Sequence, residues 1–352
     1  MKRRPWRSAF LFFAVCASAC SRGMPEPAAP LSEPLRVCTE RSSSTACRSA
    51  SEIEAWLQSS ELSLIGAADA PRGRQGAKVL TLSVPGAAGS TVFRAKWRAY
   101  ATLSALNDPR REVGAHAVQR LFLEPHEYVV PPAAGHCFAL EEYRRRVDAA
   151  ARQTFPGIDC VFGVLSYWLE QARSLEHAQD EGWLADHQRA FDPRWFRRSA
   201  SYRSSAGDLN VLTFLIDHGD SHPAQFVIVG DSARPRLYSV DNSLSFGSFR
   251  NPKLIEDWSE LLVPAVRAGA VQRLKQIKPM DLARLASIEQ YAPQDGVLVH
   301  TPVREVTPAA KGLRWLHTEL QLGLTAREIA GVSNKLRSVL ARVRSGSLVV
   351  YQ

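Results

Sequence analysis

Apolar and polar positions change period partway along the chain, and that change predicts its architecture. Over residues 51–60 the apolar residues Ile53, Trp56 and Leu57 recur at helical spacing. Short strand-like runs follow at 61–65, 78–84 and 91–97. The turn-rich stretch 66–76 separates the first two, and the segment Pro85-Gly-Ala-Ala-Gly-Ser90 is a hairpin signal between the last two, so three consecutive antiparallel strands are expected. Asp108-Pro109 opens a helix running to Phe122, with Val113, Ala117 and Leu121 on one face. Residues 128–132 read as one more strand, stopped by Pro131 and Pro132. Beyond Gly135 the pattern predicts helices at 139–154, 161–184 and 208–217, and several more after Pro252. A strand-rich part followed by a helix-rich part gives an α+β chain in two lobes, residues 51–137 and 138–352, without internal repeats.

Composition narrows the class. The chain has 352 residues, 45% of them apolar, enough for a substantial core. At the N-terminus Met1-Lys-Arg-Arg-Pro-Trp-Arg7 puts positive charge ahead of a short apolar run, and the lipobox-like Ala17-Ser-Ala-Cys20 follows. That run is shorter than the roughly 20 residues a spanning helix needs. Residues 1–20 therefore read as a signal peptide of a bacterial lipoprotein, with membrane attachment through a lipidated Cys20; plain secretion is the alternative. Residues 21–50, rich in Pro, Ala, Ser and Arg, read as a flexible tether. Four cysteines remain after Cys16 and Cys20, an even number for an oxidising compartment. Local spacing favours Cys38 with Cys47 and Cys137 with Cys160, although three connectivities exist and buried free thiols are an alternative for the second pair. The net charge of +9 suits anionic lipid, nucleic acid or phosphorylated ligands without choosing among them.

Phosphoryl transfer needs a cation for the phosphates, carboxylates for metal ions and a carboxylate near the attacking hydroxyl. Each has a candidate in order. Lys96 sits on the third strand candidate, and Glu112 lies where it could pair with that lysine. Downstream, Asp220 follows a helix in His218-Gly-Asp220, and Asp241-Asn242 ends the strand candidate Leu237-Tyr-Ser-Val240.

The segments Asp220-Ser-His222-Pro-Ala-Gln225-Phe-Val-Ile and Val240-Asp241-Asn242-Ser-Leu-Ser-Phe-Gly247, with the Glu112 helix and Val-Val-Pro-Pro132, resemble the atypical kinases. That superfamily includes phosphatidylinositol 3- and 4-kinases, HipA-type kinases and especially the secretory-pathway casein kinase and four-jointed group. The resemblance implies a two-lobed protein-kinase-like fold, with a small antiparallel-sheet N-lobe and a mainly helical C-lobe, binding ATP and Mg²⁺ or Mn²⁺ between them. It further implies that Lys96 contacts phosphates, Glu112 pairs with it, Asp220 is the catalytic aspartate, His222 braces the loop and Asp241 binds metal. Gln225 stands where the superfamily usually has a metal-binding Asn, and Asn242 is a substitute ligand. Gly66, Gly73 and Gly76 fall where a phosphate-covering loop belongs. The implied activity is ATP-dependent phosphorylation of a hydroxyl on protein, sugar or lipid outside the cytoplasm; the alternative is a pseudokinase-like module that binds nucleotide or a partner at the cell envelope. A helix-turn-helix reading of 322–340 is outweighed by the export signal, so no nucleic acid partner is expected. A serine hydrolase is disfavoured because no Gly-x-Ser-x-Gly occurs.

Overall fold

The computed structural model describes residues 36–38, 47–71, 76–86, 89–100, 107–182, 189–230 and 234–352. The expected signal peptide, Cys20, most of the tether, Gly73 and Trp183 lie outside the described residues.

Two short strands, β1 (Arg36–Val37) and β2 (Cys47–Arg48), pair in parallel beside the Cys38–Cys47 disulfide. Helix α1 (Ala50–Gln58), capped by Ser49, leads into β3 (Ser63–Asp69), β4 (Lys78–Gly86) and β5 (Gly89–Ala99), the three antiparallel strands that the pattern predicts. Helix α2 (Arg110–Gln119), strand β6 (Ala133–Ala139), helix α3 (Leu140–Arg146) and strand β7 (Cys160–Tyr167) follow. The antiparallel sheet has the order β3-β4-β5-β7-β6. One face, with Leu80, Leu82, Phe93, Ala95 and Trp97, is buried in the main core with Ile53 and Leu57 of α1 and Tyr143 of α3. Because side chains alternate across a strand, Arg94, Lys96 and Arg98 all point to the opposite face.

Three expectations fail here. Residues 161–184 do not form a helix: β7 fills their first part, between β5 and β6, and all eight of its residues are buried. A strand covered on both faces shows no alternation, so its apolar run cannot be told from a buried helix by period. Residues 128–132 form no strand, because the Gln119 side chain binds their backbone, accepting from Val129 N and Val130 N and donating to Val130 O. The helix expected at 139–154 stops at Arg146. The expected lobe boundary at 137 therefore falls within the sheet, which takes in β7.

The second part adds β8 (Arg173–Ser174), α4 (Leu175–Asp180), α5 (Pro193–Arg198) and the long α6 (Ala200–Leu215), which is capped by Ser199 and buried along most of its length. A small antiparallel sheet, β10-β9-β8, joins β8 to β9 (Phe226–Val229) and β10 (Arg236–Ser239). Beyond Pro252 the chain is less helical than expected. Strand β11 (Ala265–Arg267) and helices α7 (Ala268–Gln276) and α8 (Pro279–Ala283) precede β12 (Glu289–Gln294), β13 (Val297–Thr301), β14 (Leu313–Leu316) and β15 (Glu319–Leu322), which form a sheet of order β13-β12-β15-β14. Asp295 and Gly296, at φ 50° and 82°, make the two-residue turn between β12 and β13, a hairpin signal the sequence carried. Helix α9 (Ala326–Arg344), with a Thr325/Glu328 capping box, and β16 (Val349–Tyr351) complete the chain. A strand precedes α9 where a helix-turn-helix would need another helix. Among the described residues Trp97 and Trp258 are buried in the core, whereas Trp315 is 43% exposed. Among the described residues no helix is long and apolar enough to cross a membrane.

The β5–β7 contact tests this sheet. A Cβ at Gly163 would lie 2.5 Å from the Arg98 carbonyl oxygen and 2.7 Å from the Trp97 ring. Gly163→Ala should lower the unfolding free energy by about 1–3 kcal/mol in a denaturant titration; an unchanged midpoint would rule out this close crossing.

Candidate functional site

Lys96 projects from the middle of β5, opposite Val79 on β4 and Ser166 on β7, so the sheet fixes its root from both sides. Its Nζ lies 2.8 Å from Asp241 Oδ1 and 3.2 Å from Glu112 Oε1. Glu112 comes from the first turn of α2, is 5% exposed, and accepts the backbone N–H of Asn242 at 2.9 Å on its other oxygen. Arg98, two residues along β5 on the same face, places Nη2 3.7 Å from Asp241 Oδ1. Arg94 on that face pairs with Glu170, Nε to Oε1 at 2.8 Å.

Charge sets the protonation of this group. Burial pulls the Lys96 ammonium down, but Asp241 and Glu112 outweigh it and hold it above the usual lysine value. Burial raises the Asp241 carboxyl, and Lys96 and Arg98 overcome that and keep it well below the usual carboxylate range. The site thus contains a lysinium and an ionised aspartate.

Asp241 sits at φ 59°, in the left-handed region, where a non-glycine side chain carries strain that local bonds must offset. Ser243 Oγ donates to its Oδ1 at 3.1 Å. Phe246 at φ 61° and Asp217 at φ 48° share that conformation. The two left-handed segments are laced together: Phe246 N donates to Ile216 O, and Asn251 N donates to Gly219 O at 2.7 Å. A Cβ at Gly219 would overlap the Phe249 carbonyl, so only glycine fits between His218 and Asp220.

Asp220 follows directly. Its Oδ1 accepts from Asn251 Nδ2 at 2.9 Å, and its Oδ2 from Gln225 Nε2 at 3.4 Å. Val240 N donates to Gln225 O at 2.9 Å, which continues the β9–β10 ladder and brings Gln225 alongside the segment that presents Asp241. His222 caps the turn, Nδ1 accepting from Ala224 N at 3.2 Å, with Nε2 4.0 Å from Asp220 Oδ1. His218 is fully buried beneath, its Nδ1 accepting from Asp220 N at 3.4 Å and its Nε2 without a hydrogen-bond partner among the described residues. Burial lowers its imidazole to about 4.

Six of the sequence-derived residues thus fall into two groups. Lys96, Glu112 and Asp241 meet directly, and Asp220, His222 and Gln225 form one turn beside them. Asn242 departs from expectation as a metal ligand: it is fully buried, and its Oδ1 accepts from Ser239 Oγ at 2.7 Å, which commits the amide to the interior. Gly66 lies within β3 beside a register shift, and Gly76 precedes β4 at φ 72°. Arg98 and Asn251 are not among the residues expected from the sequence, and His218 and Ser243 stand within its two key segments without an expected role. The alternation Arg94-Ala-Lys96-Trp-Arg98 carried a signal for Arg98, whereas Asn251 reaches Asp220 only through tertiary structure.

Among the described residues no group of three or more His, Cys, Asp or Glu side chains could cage a metal ion. The available donors, the Asp241 carboxylate and the Gln225 amide oxygen, are hard oxygen ligands. They fit the way Mg²⁺ is held by one or two protein groups and substrate phosphates.

No family model matches the chain, and no curated protein matches it by sequence. Among solved structures, a hydra Fam20 with sugar is similar with a TM-score of 0.48 and 13% identity, over 86% of this chain and 92% of that one. A Golgi casein kinase is similar with a TM-score of 0.46 and 10% identity, over 84% of this chain and 76% of that one.

The buried imidazole gives a pH signature. Between about 6.5 and about 4 the unfolded chain protonates His218 while the folded chain does not, so this residue makes stability fall on acidification through that window. His218→Gln should flatten that limb in denaturant titrations at stepped pH; parallel wild-type and variant curves would refute a neutral buried His218.

Proposed function

We propose that the chain is a metal- and ATP-dependent phosphotransferase acting on a hydroxyl acceptor outside the cytoplasm. The carrying observation is the charge group Lys96–Glu112–Asp241, with Asp220 on the turn beside Asp241's strand. In this reading Lys96 and Arg98 hold the phosphates of the nucleotide, and Glu112 keeps Lys96 aimed at them. Asp241 and Gln225 would hold the divalent cation, which when bound neutralises charge on the phosphate oxygens. Asp220 accepts or orients the acceptor's hydroxyl proton while that oxygen forms a bond to the terminal phosphorus and the bond to the diphosphate breaks, leaving ADP. Asn251 and Gln225 fix the Asp220 carboxylate by occupying one oxygen each. A cavity of about 240 Å³ lies on the other side of this turn, lined in part by Ser221, His222, Pro223, Lys253, Ile255 and Glu256 and not by Asp220.

The Cys38–Cys47 and Cys137–Cys160 disulfides support an oxidising location, in line with export and attachment through a lipidated Cys20. A second reading, a nucleotide-binding module without transfer, is favoured by Gln225: its amide is turned to Asp220, and it replaces the shorter Asn of the resembling kinases.

Transfer from γ-labelled ATP with Mg²⁺ or Mn²⁺, measured on the wild-type chain and on Asp241→Asn, decides between them. The expected outcome is metal-dependent phosphate incorporation that falls about a hundredfold in the variant with its fold intact. Nucleotide binding without transfer in the wild type would move the assignment to the second reading. A folded chain that binds no nucleotide would sink both.

A further inference from the structure

The first turn of α2 reaches in three directions with three consecutive side chains. Glu112 holds Lys96 and the Asn242 amide. Arg111 Nη1 donates to Ser243 O at 3.4 Å, and its Nε lies 3.1 Å from Glu328 Oε1. Arg110 grips the same Glu328 with both terminal nitrogens, at 2.8 and 2.9 Å, donates to Gly323 O at 3.0 Å, and pairs with Asp108 at 2.7 Å.

Two adjacent cations in the first turn of a helix oppose its dipole. Their compensation comes from Glu328, itself in the favourable first turn of α9 and locked by Thr325, whose backbone N–H donates to Oε2 at 2.8 Å. Arg110 and Glu328 are 5% and 7% exposed, so the pair is shielded from water and salt. Burial opposes ionisation of Glu328, and Arg110 overrides it, lowering the carboxyl to about 2.

Side chains next to α9 and after Asp241 also pack tightly on the α2 backbone. A Cβ at Gly114 of α2 would lie 2.6 Å from Leu324, just ahead of α9, and 3.3 Å from Phe246 of the segment after Asp241. Further along α9, Lys335 Nζ donates at 2.8 Å to Oδ1 of Asp217, three residues ahead of Asp220, and at 2.9 Å to Ser259 O. One helix therefore touches both the helix that bears Glu112 and the segment that bears Asp220.

We propose that α9 is an intrachain clamp and that Glu328 is its positioning residue, holding α2 so that Glu112 stays engaged with Lys96 and the Asp241 segment. The role given to Glu112 rests on the phosphotransferase reading; the clamp itself is a statement about the chain without ligand. Glu328 bonds to Arg110, Arg111 and Thr325 and has no part in the proposed binding of nucleotide or acceptor, so its loss should lower kcat and leave the acceptor KM unchanged.

The test uses the full chain with Glu328→Gln, which keeps the shape and removes the charge. Hydrogen exchange without nucleotide should accelerate about tenfold at 110–119 and 241–247 while β4 and β5 keep their wild-type rates. The kcat for transfer should fall roughly tenfold at unchanged acceptor KM, and Glu328→Asp should recover part of it. If exchange rises only within 326–344, Glu328 merely anchors its own helix and the proposal is overturned. Should Glu328→Gln not fold, Arg111→Met leaves the Arg110–Glu328 pair in place and should loosen 241–247 alone; unchanged exchange there overturns the clamp. A wild-type chain without transfer would remove the kinase reading, and the exchange measurements would still decide the clamp.

Discussion

The buried carboxylate of Glu112 takes the Lys96 ammonium on one oxygen and the Asn242 backbone N–H on the other, joining the sheet to the segment of Asp241. Few other groups could stand there. Lys96 is 17% exposed at its side chain and brings its charge into a region with limited water, so it needs counter-charge from both Glu112 and Asp241. Of the three, Glu112 is the deeply buried member, so its removal would leave the Lys96 charge with Asp241 as its counter-charge and strand the Asn242 N–H. The register of β4, β5 and β7 fixes where Lys96 starts, and the placement of α2 fixes where Glu112 ends.

A second constraint acts on the backbone. Asp217, Asp241 and Phe246 all adopt left-handed conformations, and glycine at 219 lets two segments cross without a side chain between them. Each left-handed non-glycine residue costs on the order of 1 kcal/mol or more. The bonds from Phe246 N to Ile216 O and from Asn251 N to Gly219 O offset that strain and set Asp220 and Asp241 in one piece of structure. Fully buried His218 fills the space below and accepts the Asp220 N–H. The side-chain charges and the backbone crossing thus support each other: the first ties Asp241 to the sheet, and the second ties it to Asp220.

Some of this was legible in the sequence because its causes are local. The three-strand beginning follows from short apolar runs and the Pro85–Ser90 turn. Helix α2 follows from Asp108-Pro109 and the apolar positions after it, and both expected cysteine pairs follow from close spacing. Strand β7 was not legible, since burial on both faces erases its alternation, and the 128–132 segment depends on a single Gln119 amide. The sheet of β12 to β15 announced itself only through Asp295-Gly296, a two-residue signal in a region read as helical.

The order in which the candidate groups arrive is local information: Lys96 lies in strand β5 and Glu112 in the first turn of α2, while Asp220 and Asp241 lie on the turns that follow α6 and β10. Tertiary structure decided what each group does with its charge. Asn242 turns inward to Ser239, Arg98 joins Lys96 on Asp241, and Asn251 takes one oxygen of Asp220. It also decided that Glu328, 216 residues beyond Glu112, sets the helix on which Glu112 stands. The physical reason is that helix and strand periods are short-range, whereas the partner of a buried charge is chosen by whichever group the packed chain brings within hydrogen-bond reach.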